Sequence, residues 1–237
     1  MSIPTKITSA ISFAFALVAN APAFAADNSL LGNNDRQQLA AWLGSEPVSL
    51  TNIFTKQSGN TAADFHAAVD GKGRTVVIME ATTRSGATYL LGGYNPQSWA
   101  SSGGYALTPD DGQRTAFLFN LTTDRIYRQM LNVRNLEAVG AYQTLNETGV
   151  GPTFGSGHDL QMSDDLTRGY SLLYSYADSS LSDMYLSIAD GQTFKGINDL
   201  AFGRVEVYSI SAVPEPAAFA LLAGGLCVLL AKRNRKR

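Results

Sequence analysis

Hydrophobic and polar positions along this chain of 237 residues fall into three regimes. Uncharged apolar runs occupy residues 7–18 and 217–231; between them apolar positions recur first with helical and then with strand spacing. Residues 28–44 read as an opening helix: Asn34 or Asp35 caps it, Leu39, Trp42 and Leu43 share a face, and Gly44 and Pro47 stop it. Thr61 followed three residues later by Asp64 signals a second helix, with Phe65 and Val69 on one side and Gly71 at its end. Strand-like segments follow at 75–80, 87–91, 115–121, 169–176 and 204–210, separated by clusters of Gly, Asp, Asn and Ser. In the last of these, Val205, Val207 and Ser209 face one way and Glu206, Tyr208 and Ile210 the other. Two early helices before many strands predict an α+β fold, an antiparallel β-sandwich flanked by short helices. The final apolar run adds a C-terminal helix to that expectation, and no internal repeat or heptad pattern intervenes.

The two apolar ends have different flanks. Lys6 precedes the first, and Ala23-Phe24-Ala25 before Ala26 is a small-x-small cleavage site; together these predict a secretory signal peptide over 1–25. Pro214-Glu215-Pro216 precedes the second, and five basic residues between 232 and 237 close it. As a helix the 15 residues of 217–231 reach about 22 Å, short of a hydrocarbon core of about 30 Å. Seating that run in a bilayer requires local thinning or snorkelling of the basic end, and the basic cluster places it on the cytoplasmic side.

This C-terminal arrangement resembles the PEP-CTERM sorting signal of Gram-negative bacteria, carried here by Pro214, Glu215 and Pro216. The resemblance implies processing by an exosortase, a membrane cysteine protease, after export and inner-membrane anchoring. It also implies a final location at the cell surface or in the extracellular matrix.

Removing both ends changes the charge picture. Residues 26–213 hold twelve Lys and Arg against nineteen Asp and Glu, a net charge near −7. That balance argues against a nucleic-acid surface. The lone cysteine, Cys227, lies in the C-terminal run, so the exported body has neither a disulfide nor a catalytic thiol.

Within the body, Leu91-Gly92-Gly93-Tyr94 followed by Gln97-Ser98-Trp99 resembles the glycine-glycine-aromatic strand end of TLDc domains. Phe117-Leu118-Phe119-Asn120-Leu121 resembles the next strand of that family, and Phe154-Gly155-Ser156-Gly157-His158-Asp159-Leu160 its glycine-rich turn. Val205-Glu206-Val207-Tyr208 resembles its closing strand. The likeness covers residues 48–211, after an N-terminal helical segment at 26–47, and implies two antiparallel sheets flanked by helices. Eukaryotic members are associated with oxidative-stress protection and with the vacuolar proton pump; no such pump is expected in the compartment inferred here.

Candidate chemistry is sparse. His158 and Asp159, with Asp164, Asp165 or Glu206, are the residues able to gather round a divalent cation. The plainer reading is that Asp159 caps the turn through backbone N–H groups while His158 starts a strand. His66, beside Phe65 on an alanine-rich helix, reads as a structural histidine. Ser156 lacks the G-x-S-x-G spacing of a nucleophile elbow. Tyr94, Trp99 and Tyr105 among Gly, Ser and Asn suit an aromatic platform for sugar rings, against the heavier reading that they pack the core. No catalytic set, metal or cofactor is expected. The leading expectation is a non-enzymatic, exported interaction domain; the alternatives are an exopolysaccharide-binding module and an oxidative-stress-protective domain acting through His158 or Asp159.

Overall fold

The computed structural model describes residues 29–44, 48–131, 137–177, 185–192 and 199–212. The signal peptide, the cleavage site at Ala23, Ala25 and Ala26, the Pro214-Glu215-Pro216 motif and the C-terminal apolar helix lie outside the described residues.

The opening helix, α1 (Asn33–Leu43), begins later than its pattern suggests. Asp35 caps it by accepting the Gly32 N–H at 2.9 Å. The residues ahead of it form a strap instead, because a buried acceptor claims them: the Leu30 N–H donates to Glu206 Oε2 at 3.0 Å. Ser29 Oγ lies 2.7 Å from the Tyr208 hydroxyl. The first strand, β1 (Val48–Thr55), escapes sequence reading because Ser49, Thr51, Asn52 and Thr55 face water and leave little apolar pattern. The second helix, α2 (Ala62–Val69), starts as its capping signal predicts, with the Thr61 N–H on Asp64 Oδ2 at 2.8 Å.

Strands β2 (Thr75–Thr83) and β3 (Thr88–Asn95) form a hairpin longer than expected, and β5 (Phe117–Asn120) and β6 (Arg125–Gln129) form another. Between these hairpins lies the short β4 (Tyr105–Leu107). The four-residue α3 (Glu137–Gly140) precedes β7 (Tyr142–Leu145), β8 (Thr153–Phe154) and β9 (Leu160–Met162). The expected strand at 169–176 is two strands, β10 (Arg168–Tyr170) and β11 (Tyr176–Ala177). The chain closes with β12 (Asp199–Ala212).

All the strand pairs are antiparallel, in the order β11-β6-β5-β3-β2-β12-β10-β9-β8-β7-β4, with β1 also on β12. A bulge between Phe202 and Val205 marks where β12 exchanges β10 for β1 as its neighbour. Lys56 Nζ braces that bulge, donating to the Phe202 and Leu166 carbonyls at 2.9 and 2.7 Å. Beyond β12 the sheet has two arms. The first runs from β11 to β2 and the second from β10 to β4.

A single apolar core takes Val77, Met79, Leu91 and Leu118 from the first arm and Phe154, Leu160 and Met162 from the second, with Phe65 and Val69 of α2. The arms therefore face each other, consistent with a β-sandwich. A second cluster covers the outer face of the first arm: Val76, Ile78, Tyr94, Phe117, Phe119, Tyr208 and Ile210 beneath Leu39 of α1 and Leu30 and Leu31 of the strap. Strand β12 serves both clusters by alternation, as its sequence predicts. Gly92 and Gly93 are required by this two-sided packing. A Cβ on Gly92 would lie 2.4 Å from Phe119, and one on Gly93 would lie 2.5 Å from Phe154. Among the described residues no helix is long and apolar enough to cross a membrane.

Candidate functional site

The glycine-rich turn joins β8 to β9 and is pinned at three points. The Gly155 N–H donates to the Gln143 carbonyl at 3.0 Å, and the Ser156 N–H donates to Ser175 Oγ at 2.8 Å. The third point is Asp159, fully buried, whose Oδ2 accepts the N–H groups of Tyr174, Ser175 and Tyr176 at 2.5, 2.7 and 2.8 Å. These three donors turn inward, which is why residues 169–176 break into β10 and β11 instead of continuing as one strand. Only glycine fits at 155: its φ is +76°, and a Cβ there would lie 1.9 Å from Asp159 Oδ1. Burial pushes the Asp159 carboxyl up to about 7, outweighing the backbone donors that pull it down. Its Oδ1 is buried, with no hydrogen-bond partner on another residue among the described residues.

Asp159 thus acts on backbone N–H groups, as the plainer reading has it, but those of a segment fifteen residues on rather than of its own turn. His158 does not start a strand. Its φ is +53°, a left-handed conformation costing a non-glycine residue roughly 1 kcal/mol or more. That conformation brings His158 Nε2 to 3.2 Å from the Tyr105 hydroxyl and stacks its ring on Tyr170, with centroids 6.3 Å apart. Tyr142 meets Tyr105 edge-on at 4.9 Å. Burial lowers the His158 pKa, with Glu147 opposing, and raises those of Tyr105 and Tyr170, with neighbouring phenols and carboxylates adding to the rise. Burial thus favours the uncharged forms of His158, Tyr105 and Tyr170, and the Tyr105 hydroxyl and His158 Nε2 share one hydrogen bond.

The sheet register explains why these residues meet. Tyr105 is opposite Leu145, and Gln161 is opposite both Thr153 and Tyr170. Thr144 opposite Phe154 fixes the link between those two sets. Residues directly opposed across antiparallel strands share a face. Tyr105, Gln161 and Tyr170 consequently lie on the face of the second arm that points away from the core side occupied by Phe154.

The other candidates are placed elsewhere. The platform of Tyr94, Trp99 and Tyr105 does not assemble. Trp99 is 1% exposed, donates its indole N–H to Thr75 Oγ1 at 2.9 Å, and packs edge-on against Phe65 and Phe154 between the arms. Tyr94 belongs to the other cluster, against Phe117, with its hydroxyl accepting from Arg74. The two rings are buried on opposite faces of the first arm, and only Tyr105 reaches the surface cluster.

Nor do the suggested carboxylates gather round His158. Glu206 is committed to Leu30 and Tyr208. Asp165 accepts from Ser163 and Thr167, and these hydrogen bonds hold its carboxyl down to about 2. Among the described residues no three His, Cys, Asp or Glu side chains are grouped to hold a metal ion. His66 is buried, with Nδ1 2.8 Å from Asp70 Oδ1 and Nε2 2.9 Å from the Glu147 carbonyl, while Ser156 Oγ lies against Ser175. His66 and Ser156 are thus bonded to different partners.

Sequence reasoning missed Tyr142 and Tyr170. The only signal was their position in short half-polar strands, which becomes informative once pairing is known.

A family profile, the TLDc domain, matches residues 24–211. No curated protein matches the chain. The match takes in the strap and α1 as well as the expected 48–211, in keeping with their burial on the first arm. Matched over residues 24–211 of its 237, the chain belongs to the TLDc-domain family.

Proposed function

We propose that this protein is an exported, non-enzymatic interaction domain delivered through an exosortase-type sorting pathway. The observation carrying the non-enzymatic part is where its acid–base groups go. Asp159, Glu206 and His66 are each committed to holding backbone or neighbouring side chains in place, and His158 at the surface cluster is hydrogen-bonded to Tyr105 rather than to a carboxylate. Support for the export route is the order of its sequence elements: Lys6, the apolar run and Ala23-Phe24-Ala25 at one end, Pro214-Glu215-Pro216 with its apolar run and basic cluster at the other. On this reading the exosortase and export machinery are transient partners, and the C-terminal segment holds the chain in the inner membrane before processing. The mature domain then acts at the cell surface or in the matrix.

Mass spectrometry of both termini, on protein recovered separately from membrane and medium, tests the route. Cleavage after Ala25 and loss of the C-terminal basic cluster are expected. Replacing Pro214, Glu215 and Pro216 by alanine should leave an unprocessed membrane form; unchanged processing refutes the sorting assignment. Peroxide protection or turnover that disappears in a folded His158→Ala variant would refute the non-enzymatic one.

A further inference from the structure

We infer that the outer face of the second arm is a binding site for neutral polysaccharide, built from Tyr105, Tyr142, His158 and Tyr170. The inference rests on the interaction-domain reading and names the class of partner.

Four observations converge on it. The register places Tyr105 and Tyr170, from strands at the two sides of the second arm, on one face. Each of the four rings is half-buried, so each keeps an edge or face in water while its position is fixed. Contacts fix them further: Tyr142 on Tyr105, the Tyr105 hydroxyl on His158, and His158 on Tyr170. Finally, the left-handed backbone at His158 is a local cost borne at the turn that delivers the ring.

The chemistry of the face selects the occupant. Aromatic rings with hydroxyl tips offer apolar area to the C–H faces of a sugar and hydrogen bonds to its rim. Tyrosine loses little conformational entropy on contact, which suits a preformed site. Burial favours the neutral forms of Tyr105, His158 and Tyr170, and Glu147 is an exposed carboxylate close enough to act on Tyr105 and His158. Residues 26–213 carry a net charge near −7. That overall charge repels an anionic polymer such as a nucleic acid or a uronate chain, and a neutral glycan meets no such repulsion.

Affinity gel electrophoresis of the full chain in mild detergent tests this, with gels containing laminarin, dextran, xylan or galactomannan, and alginate as the anionic contrast. Retardation by at least one neutral polymer and none by alginate is expected. Tyr170→Ala and Tyr142→Ala should each weaken binding roughly three- to tenfold, while Tyr142→Phe and Leu131→Ala keep it, with circular dichroism confirming that every variant folds. No retardation by any neutral polymer, retardation by alginate alone, or unchanged binding in both alanine variants overturns the proposal. Correct processing of a chain that binds nothing removes the glycan site and leaves the sorting assignment standing; binding by a chain that is never exported does the reverse.

Discussion

The outer faces of the two arms obey the same pleat and meet opposite fates. On the first arm that face carries Val76, Ile78, Phe117, Phe119 and Ile210, and α1 and the strap lie across it. On the second it carries Tyr105, Gln161 and Tyr170, half-buried beside the glycine-rich turn. Alternation along a strand decides which residues face outward, and their apolarity decides whether a helix covers them. The covered face supplies stability. The tyrosine face, already satisfied by ring and hydroxyl contacts, is free to serve recognition.

Substitutions on the two faces should therefore separate stability from binding. Leu39→Ala, which hollows the contact of α1 with the first arm, should cost about 3 to 4 kcal/mol. For a domain of this size that lowers Tm by roughly 10 °C, with any glycan affinity of the surviving folded fraction unchanged.

Asp159→Ala strands two buried N–H donors and a part-buried third and should cost about 3 kcal/mol. It breaks the comparison in an instructive way, because it loosens the turn carrying His158 and should reduce stability and binding together. Asp159 also makes a pH prediction. Its folded-state pKa, about 7, lies above the ordinary 3.8, so between pH 4 and 7 the folded state holds a proton that the unfolded state releases. The stability contributed by this group is greatest near pH 4, falls as pH rises through 7, and is level above. Urea unfolding at pH 5 and pH 8 should show a larger penalty for Asp159→Asn, relative to the parent, at pH 5; a larger penalty at pH 8 contradicts the assignment.

Glu206→Gln tests the strap. Oε2 accepts both the Leu30 N–H and the Tyr208 hydroxyl, so the substitution should cost about 1 to 2 kcal/mol and speed hydrogen exchange at Leu30. The smallest change in stability is expected for Tyr170→Ala, under about 1 kcal/mol, with its effect confined to binding.

How much of this was legible in the sequence follows from the range of the interactions. The start of α2 was readable because Thr61 and Asp64 cap it locally. Strand β12 was readable because its alternation serves two cores. The break between β10 and β11 was not, because its cause is a carboxylate fifteen residues earlier, at Asp159. The aromatic platform failed for a related reason. Tyr94 and Trp99 are five residues apart, but Tyr94 lies within β3 and Trp99 folds under the sheet to bond Thr75. The cluster that does form draws on β4, β7, β10 and the turn before β9, and the pairing of those strands leaves almost no trace in local composition.

Tyrosine nitration of the folded protein, read residue by residue by mass spectrometry, compares the two faces most directly. Tyr105, Tyr142 and Tyr170 should react in the native state and be shielded by a bound neutral glycan. Tyr94 and Tyr208, on the covered face, should stay silent until the protein unfolds. Equal labelling of both sets, or labelling of the second set ahead of the first, would contradict the division of labour between a covered face that holds the fold and an open one that binds.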